Sequence, residues 1–300
     1  MVYLKSIKLN YHRNAGLFMC KFCREHAKGY GKWYLNPEGY TEELFYKLST
    51  LDKILGRKPK KVRDAIKSSD SAWYPLDISK QLDLVDLTSK PVIGGLIRMI
   101  GNHIAIKSHS GQVVPTEDAL KIVDLSHDHA VYPCMCKRLF NGKDEFKCLN
   151  FAPITDITRN TPRAWKEKRL SPEEAKEWLQ NFSDKGYVHA VFWWCDLPQA
   201  VLICNCDAKY CYAARPKLWY GITNVYRRAE YLAEVDSDKC IGCGQCIDRC
   251  QFEAISYDVD GRAQIDPKIC FGCGQCRSVC EQNAIKLVDR NTHAIAKKIW

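Results

Sequence analysis

Cys240-Ile-Gly-Cys243-Gly-Gln-Cys246-Ile-Asp-Arg-Cys250 and Cys270-Phe-Gly-Cys273-Gly-Gln-Cys276-Arg-Ser-Val-Cys280 spell C-x2-C-x2-C-x3-C twice, 30 residues apart. Asp236 recurs as Asp266 and Ala254-Ile255 as Ala284-Ile285, so a whole unit is repeated and not only its cysteines. Thiolates are soft ligands, and a cubane [4Fe–4S] cluster needs four of them around its irons. Three cysteines at three-residue intervals on a tight loop wrap three corners of such a cube. Glycines at 242, 244, 272 and 274 let the backbone close in, so that amide N–H groups can reach sulfur. A pair of zinc sites is the competing chemistry, but zinc favours paired CxxC motifs separated by a longer loop. The motif therefore points to one-electron transfer.

Over Asp236–Val288 the chain resembles the two-cluster bacterial ferredoxins. In that family the fourth ligand of each cluster comes from the other repeat. The resemblance implies one cluster on Cys240, Cys243, Cys246 and Cys280, and another on Cys270, Cys273, Cys276 and Cys250. One departure stands out: the family motif ends in Cys-Pro, whereas Gln251 follows Cys250 and Glu281 follows Cys280. Ligation does not need proline, but two added backbone N–H groups and a carboxylate bear on the potentials.

The chain has 17 cysteines, and seven of the others lie mid-chain: Cys134, Cys136, Cys148, Cys195, Cys204, Cys206 and Cys211. Pro133-Cys134-Met135-Cys136-Lys137-Arg138, Gly186-Tyr-Val-His189 and Ile203-Cys204-Asn205-Cys206 form a series, with Val114-Pro115-Thr116-Glu117-Asp118-Ala119 upstream. From about residue 110 to 288 it resembles a cysteine-rich domain found fused to two-cluster ferredoxin modules in anaerobes. Asp207 and Lys209 occupy positions that are commonly cysteine there. Two C-x-C pairs with Cys148 and Cys211 read as a metal site, a third Fe–S cluster ahead of zinc. Cys134, Cys136, Cys204 and Cys206 are the first ligand candidates, with Cys148 and Cys211 next. Cys195, in an apolar run, reads as structural, and His189 as a satisfied core histidine. Cys20-Lys-Phe-Cys23-Arg-Glu-His26 is half of a zinc site without its other half. His127 and His129, flanking Asp128, read as exposed loop histidines.

The elements that must position these thiols are partly legible. Ser171-Pro172-Glu173-Glu174 is a capping box with proline at the first helical position, predicting a helix that stops at Gly186. Thr116-Glu117-Asp118 predicts the cap and acidic first turn of another helix. Tyr187–Trp194 and Ala200–Cys204 read as strands on either side of a DLPQ turn. Leu44, Phe45, Leu48, Leu51 and Leu55 recur near helical spacing after Thr41. The expected fold class is α+β, in three parts. These are a basic, partly helical region at 1–75, a cysteine-rich α+β domain at 76–231, and a ferredoxin-like two-cluster domain at 232–300.

Charge is divided along the chain. Residues 1–70 hold 15 Lys+Arg against 7 Asp+Glu, while residues 236–289 hold 6 against 9, within an overall net charge of +10. The basic run KPKKVR at 58–63 reads as a solvated face, with docking to an acidic partner second and nucleic acid third. No nucleic acid partner is expected. Met1–Asn14 lacks the apolar core of a secretory signal, and no stretch predicts a transmembrane helix. Many free thiols without an export signal point to a reducing cytoplasm, and the cluster ligands to an anaerobic habit. No G-x-G-x-x-G after a strand and no Walker A lysine supports a nucleotide enzyme. The leading expectation is an electron-transfer protein, a subunit or partner of an anaerobic oxidoreductase that meets other redox proteins. Two alternatives stay open: a redox enzyme with its reaction centre in the cysteine-rich part, and a redox or metal sensor.

Overall fold

The computed structural model describes residues 31–41, 47–56, 60, 90 and 93–108. From 111 to 299 it describes all but 135, 139–141, 160–165, 194–198, 208–209, 212–213, 216, 218–220 and 223–226. Cys20, Cys23, His26, Cys195 and all of KPKKVR except Lys60 lie outside the described residues, as does the start of the leucine-spaced segment after Thr41. What is described there is a five-residue helix, α1, at Thr50–Ile54. The fold is α+β. Among the described residues no helix is long and apolar enough to cross a membrane.

The centre is a six-stranded sheet of β1 (Gly111–Val114), β2 (Ala130–Pro133), β3 (Phe146–Asn150), β4 (Lys168–Arg169), β5 (Val188–Phe192) and β6 (Leu202–Cys206). Their order is β1-β5-β6-β3-β2-β4, and every pairing is antiparallel. Successive side chains of a strand point to opposite faces, and here the two faces bury different things. Val114, Leu149, Val191 and Ile203 face α3 (Thr116–Leu125) and α5 (Pro172–Asp184), meeting Ala119, Ile122, Ala175 and Leu179 in one apolar core. Val113, Val188, Ala190 and Cys206 line the other face, against Phe252 and Phe271 of the C-terminal repeats. The helices α2 (Ile93–Ser108) and α4 (Ile154–Arg159) lie outside this frame.

α5 carries the expected capping box, with Ser171 accepting from the Glu174 N–H and Glu174 from the Ser171 N–H. α3 differs from expectation. Its N-cap is Pro115, which offers no side-chain cap, and the Thr116 hydroxyl pairs instead with Ser183 Oγ at 2.8 Å. A hydroxyl within reach of another helix is worth more as a tether than as a local cap.

The N-terminal residues join this core. Trp33 and Tyr34 are 1% and 0% exposed, and Trp33 packs edge-on to Trp193. Its indole N–H donates to Gln112 Oε1 at 2.7 Å. Gln112 is fully buried on β1, and its amide donates to the Arg228 carbonyl and to Glu230. One side chain thus ties together the N-terminal segment, the sheet and the start of the repeats. Arg227 also exchanges backbone bonds with β1: its carbonyl accepts from the Val113 N–H at 2.9 Å, and its N–H donates to the Gly111 carbonyl.

Two ribbons follow: β7 (Tyr231–Val235) pairs with β10 (Ile285–Asp289), and β8 (Ile255–Tyr257) with β9 (Ala263–Ile265). Short helices α6 (Gln245–Arg249) and α7 (Gln275–Ser278) lie between. They dock on the ends of α3 and α5: Arg277 grips Glu117 at 2.9 and 2.8 Å, Gln275 reaches Ser183, and Arg249 reaches the Ser183 carbonyl. Gln251, where the resembled family has proline, donates to the Gly186 carbonyl. The departure from the motif is a docking contact.

Trp33→Ala tests whether the N-terminal segment belongs to the core. A buried Trp→Ala change costs about 3–5 kcal/mol, so the urea midpoint should fall clearly, and an unchanged midpoint would assign Trp33 to a detachable arm.

Candidate metal centres

Each repeat turns through a glycine in the left-handed region before its short helix. Gly272 has φ +69°, and a Cβ there would lie 2.0 Å from the Tyr231 carbonyl oxygen. Gly242, at φ +68°, stands in the same relation to the Gly261 carbonyl, at 2.4 Å. No other residue fits such a position, because both the backbone angle and the space exclude a side chain.

The eight repeat cysteines fall into two crossed sets. Cys240, Cys243, Cys246 and Cys280 line one pocket. Cys270, Cys273, Cys276 and Cys250 line another. Backbone N–H groups point at sulfur in both: Ala263 to Cys240, Ala254 to Cys250, Ala284 to Cys280, and Gly272 to Cys270, at 3.3–3.4 Å. Burial pushes the Cys246, Cys250 and Cys276 thiols up, and Cys273 up to about 12, with neighbouring thiols adding to each shift. At these four positions the protein alone favours the neutral thiol, and a cationic iron core is what would draw such groups into thiolates. Four soft donors around a cavity, with amides aimed at sulfur, fit a [4Fe–4S] group.

The two loops differ in exposure. Ile241 is 68% exposed and Cys243 is exposed, whereas Phe271, at the equivalent place in the second repeat, is 1% exposed. Phe271 stacks on Phe252 with ring centroids 4.0 Å apart. These two rings were not singled out from the sequence. Aligning the repeats and asking where Ile becomes Phe would have found the first.

The six mid-chain thiols come together on the sheet face that meets the repeats. Cys134 and Cys136 follow β2, Cys148 lies on β3, Cys204 and Cys206 on β6, and Cys211 just beyond. Cys148 and Cys204 are 3.7 Å apart at sulfur, and Cys206 and Cys211 3.3 Å. Cys134 adjoins Cys136 and Cys148, Cys136 adjoins Cys211, and Cys204 adjoins Cys206. The six form a closed ring. Thiols of Cys136 and Cys148 donating to Cys134 hold its pKa far below the usual thiol range, while its neighbours are pushed up. Among the described residues no three His, Cys, Asp or Glu side chains are placed to hold a single metal ion between them.

His189 stays out of this ring. It shares a face with Val191, opposite the cysteines, where its Nδ1 lies 2.8 Å from Asn205 Oδ1 and burial pushes its pKa down to about 4. His127 is exposed, but His129 is 5% exposed, bonded to Ser126 and edge-on to Phe151. The expectation of two exposed histidines fails at His129, because Asp128 takes a left-handed φ of 55° between them and turns the chain inward.

A family model described as a 4Fe-4S dicluster domain matches residues 233–293. No curated protein matches the chain. The C-terminal part is thus a ferredoxin-type iron–sulfur module, and its role is iron–sulfur electron transfer.

Gly272→Ala and Gly261→Ala separate strain from steric exclusion. Both positions have positive φ, but a Cβ at Gly261 meets open space. Gly261→Ala should cost about 1–3 kcal/mol of backbone strain. Gly272→Ala should cost more and lower the iron bound per chain, and equal effects would show that the Tyr231 carbonyl yields easily.

Proposed function

We propose that the chain relays single electrons through two [4Fe–4S] clusters. One is held by Cys240, Cys243, Cys246 and Cys280, the other by Cys270, Cys273, Cys276 and Cys250. The observation that carries this reading is the crossed lining of the two cavities, each taking its fourth thiol from the other repeat. The ferredoxin module at 232–300 works with a cysteine-rich domain at 76–231 and a basic region at 1–75. Cys134, Cys136, Cys148, Cys204, Cys206 and Cys211 hold a further metal centre, read as iron–sulfur ahead of zinc. Its partners are redox proteins or subunits of an anaerobic oxidoreductase in the cytoplasm, a reading supported by the resemblance of the cysteine-rich part to domains fused to two-cluster ferredoxin modules in anaerobes.

The 3.3 Å contact between Cys206 and Cys211 favours a second reading, a thiol redox sensor. Oxidising that pair to a disulfide would release two protons and two electrons, one for each cluster.

The crossing is tested with Cys250→Ser in protein made without oxygen. Spectroscopy that separates the clusters should show the one on Cys270, Cys273 and Cys276 altered and its neighbour largely kept. The reverse pattern would overturn the ligand sets. Metal and acid-labile sulfide per chain test the third centre. About eight irons plus zinc mark a zinc site, and about twelve irons a third cluster. Eight irons with six titratable thiols would leave the sensor reading.

A further inference from the structure

Three cations gather at the second thiol loop. Lys217 Nζ lies 3.6 Å from the Phe271 ring centre, and the Arg228 guanidinium 4.8 Å from it. Arg290 donates to the Cys270 carbonyl at 2.7 Å and to the Ala229 carbonyl at 2.9 Å. Arg228 donates to the Lys268 carbonyl at 2.8 Å. Lys217 Nζ is shut off from solvent and has no hydrogen-bond partner among the described residues. The charges acting on it are Arg228 and Arg290, which repel it, and Cys270, which attracts it.

A buried ammonium beside two guanidinium groups is unfavourable unless an anion lies near. An aromatic face offsets only part of that cost. In the protein part alone, burial and the two arginines push Lys217 down to about 6. A cluster bound by four thiolates is the missing anion, since its net charge is negative and each one-electron reduction makes it more so. Without cations, a buried apolar site resists that added charge.

We propose that Lys217, Arg228 and Arg290 are the counter-charge of the cluster held by Cys250, Cys270, Cys273 and Cys276, and that they raise its reduction potential by stabilising the reduced form. This rests on the ligand sets proposed above. One electron arrives from the redox partner, an iron of the cluster is reduced, and no bond to a ligand forms or breaks. The geometry gives the arrangement a direction. Phe252 and Phe271 share one apolar core with Cys206 and Cys211, so this inner cluster adjoins the six-thiol ring. The other opens to solvent at Cys243, where a partner can approach. Raising the inner potential draws the electron from the exposed cluster toward the ring.

The test uses the full chain, purified without oxygen, in a redox titration that follows each cluster by its paramagnetic signal. Lys217→Met should leave the iron per chain unchanged and lower one potential by about 59 mV, a tenfold fall in that cluster's reduced-to-oxidised ratio. Lys217→Arg, which keeps the charge, should stay near the wild type. Lys239→Met, an exposed change beside the first loop, should move neither potential. Should Lys217→Met lose the inner cluster while Lys217→Arg keeps it, the charge is again what holds that cluster. Unmoved potentials with full iron in Lys217→Met would overturn the counter-charge and leave the ligand sets standing. Loss of the cluster in both Lys217 variants would make Lys217 a packing residue and overturn it too. A wild-type chain without the inner cluster would defeat the ligand sets first.

Discussion

Three thiols on one short loop can reach three corners of a cube, and the fourth must come from elsewhere. In this chain the thiol that meets each loop from outside belongs to the other repeat, Cys280 beside the first loop and Cys250 beside the second. Each loop meets a thiol of its counterpart, so the two repeats pack as one body. The loops tolerate this because Gly242 and Gly272 accept a left-handed backbone pressed against a carbonyl. The β7–β10 ribbon then brings the two ends of the body together, pairing Tyr231–Val235 with Ile285–Asp289.

That body does not stand apart from the rest. A six-stranded sheet has two faces to bury, and two helices cover only one of them. The other is covered by Phe252 and Phe271, which are also the residues nearest the second thiol loop. Packing of the sheet and placement of the second thiol loop therefore share the same contact. Burial of Val113, Val188 and Ala190 brings a thiol loop up against the six cysteines, at no separate cost in ordered chain. Polar contacts set the orientation, with Arg277 on Glu117, Arg249 at the end of α5, and Gln112 buried at the junction of three segments.

The repeats are near-copies in sequence and unlike in surroundings. Ile241 faces solvent while Phe271 is buried, and Lys217, Arg228 and Arg290 gather only around the latter. A duplicated motif would by itself give two similar clusters. Attachment to the sheet breaks that equivalence, because it buries Phe271 and brings Lys217, Arg228 and Arg290 to the second loop.

The eight-cysteine pattern was legible at once, since ligand spacing within a loop is a local property and the offset of the repeats is visible along the chain. The helices at Thr116–Leu125 and Pro172–Asp184 were legible for the same reason, as was the strand pair around DLPQ. Local signals failed where a distant partner decided the outcome. Thr116 gave up its cap for Ser183, Gln251 took the place of proline to bond Gly186, and His129 turned inward behind Asp128. The six mid-chain cysteines could be suspected as a group from two C-x-C pairs. Their closure into a ring needed the tertiary structure, in which sheet order sets β6 beside β3 and so joins Cys148 to Cys204, more than fifty positions apart. The cations around Phe271 left no trace in the sequence, because Lys217, Arg228 and Arg290 are scattered along it and meet only when the repeats pack on the sheet. Spacing along the chain determined which thiols could share a loop, and tertiary packing decided what those thiols would feel.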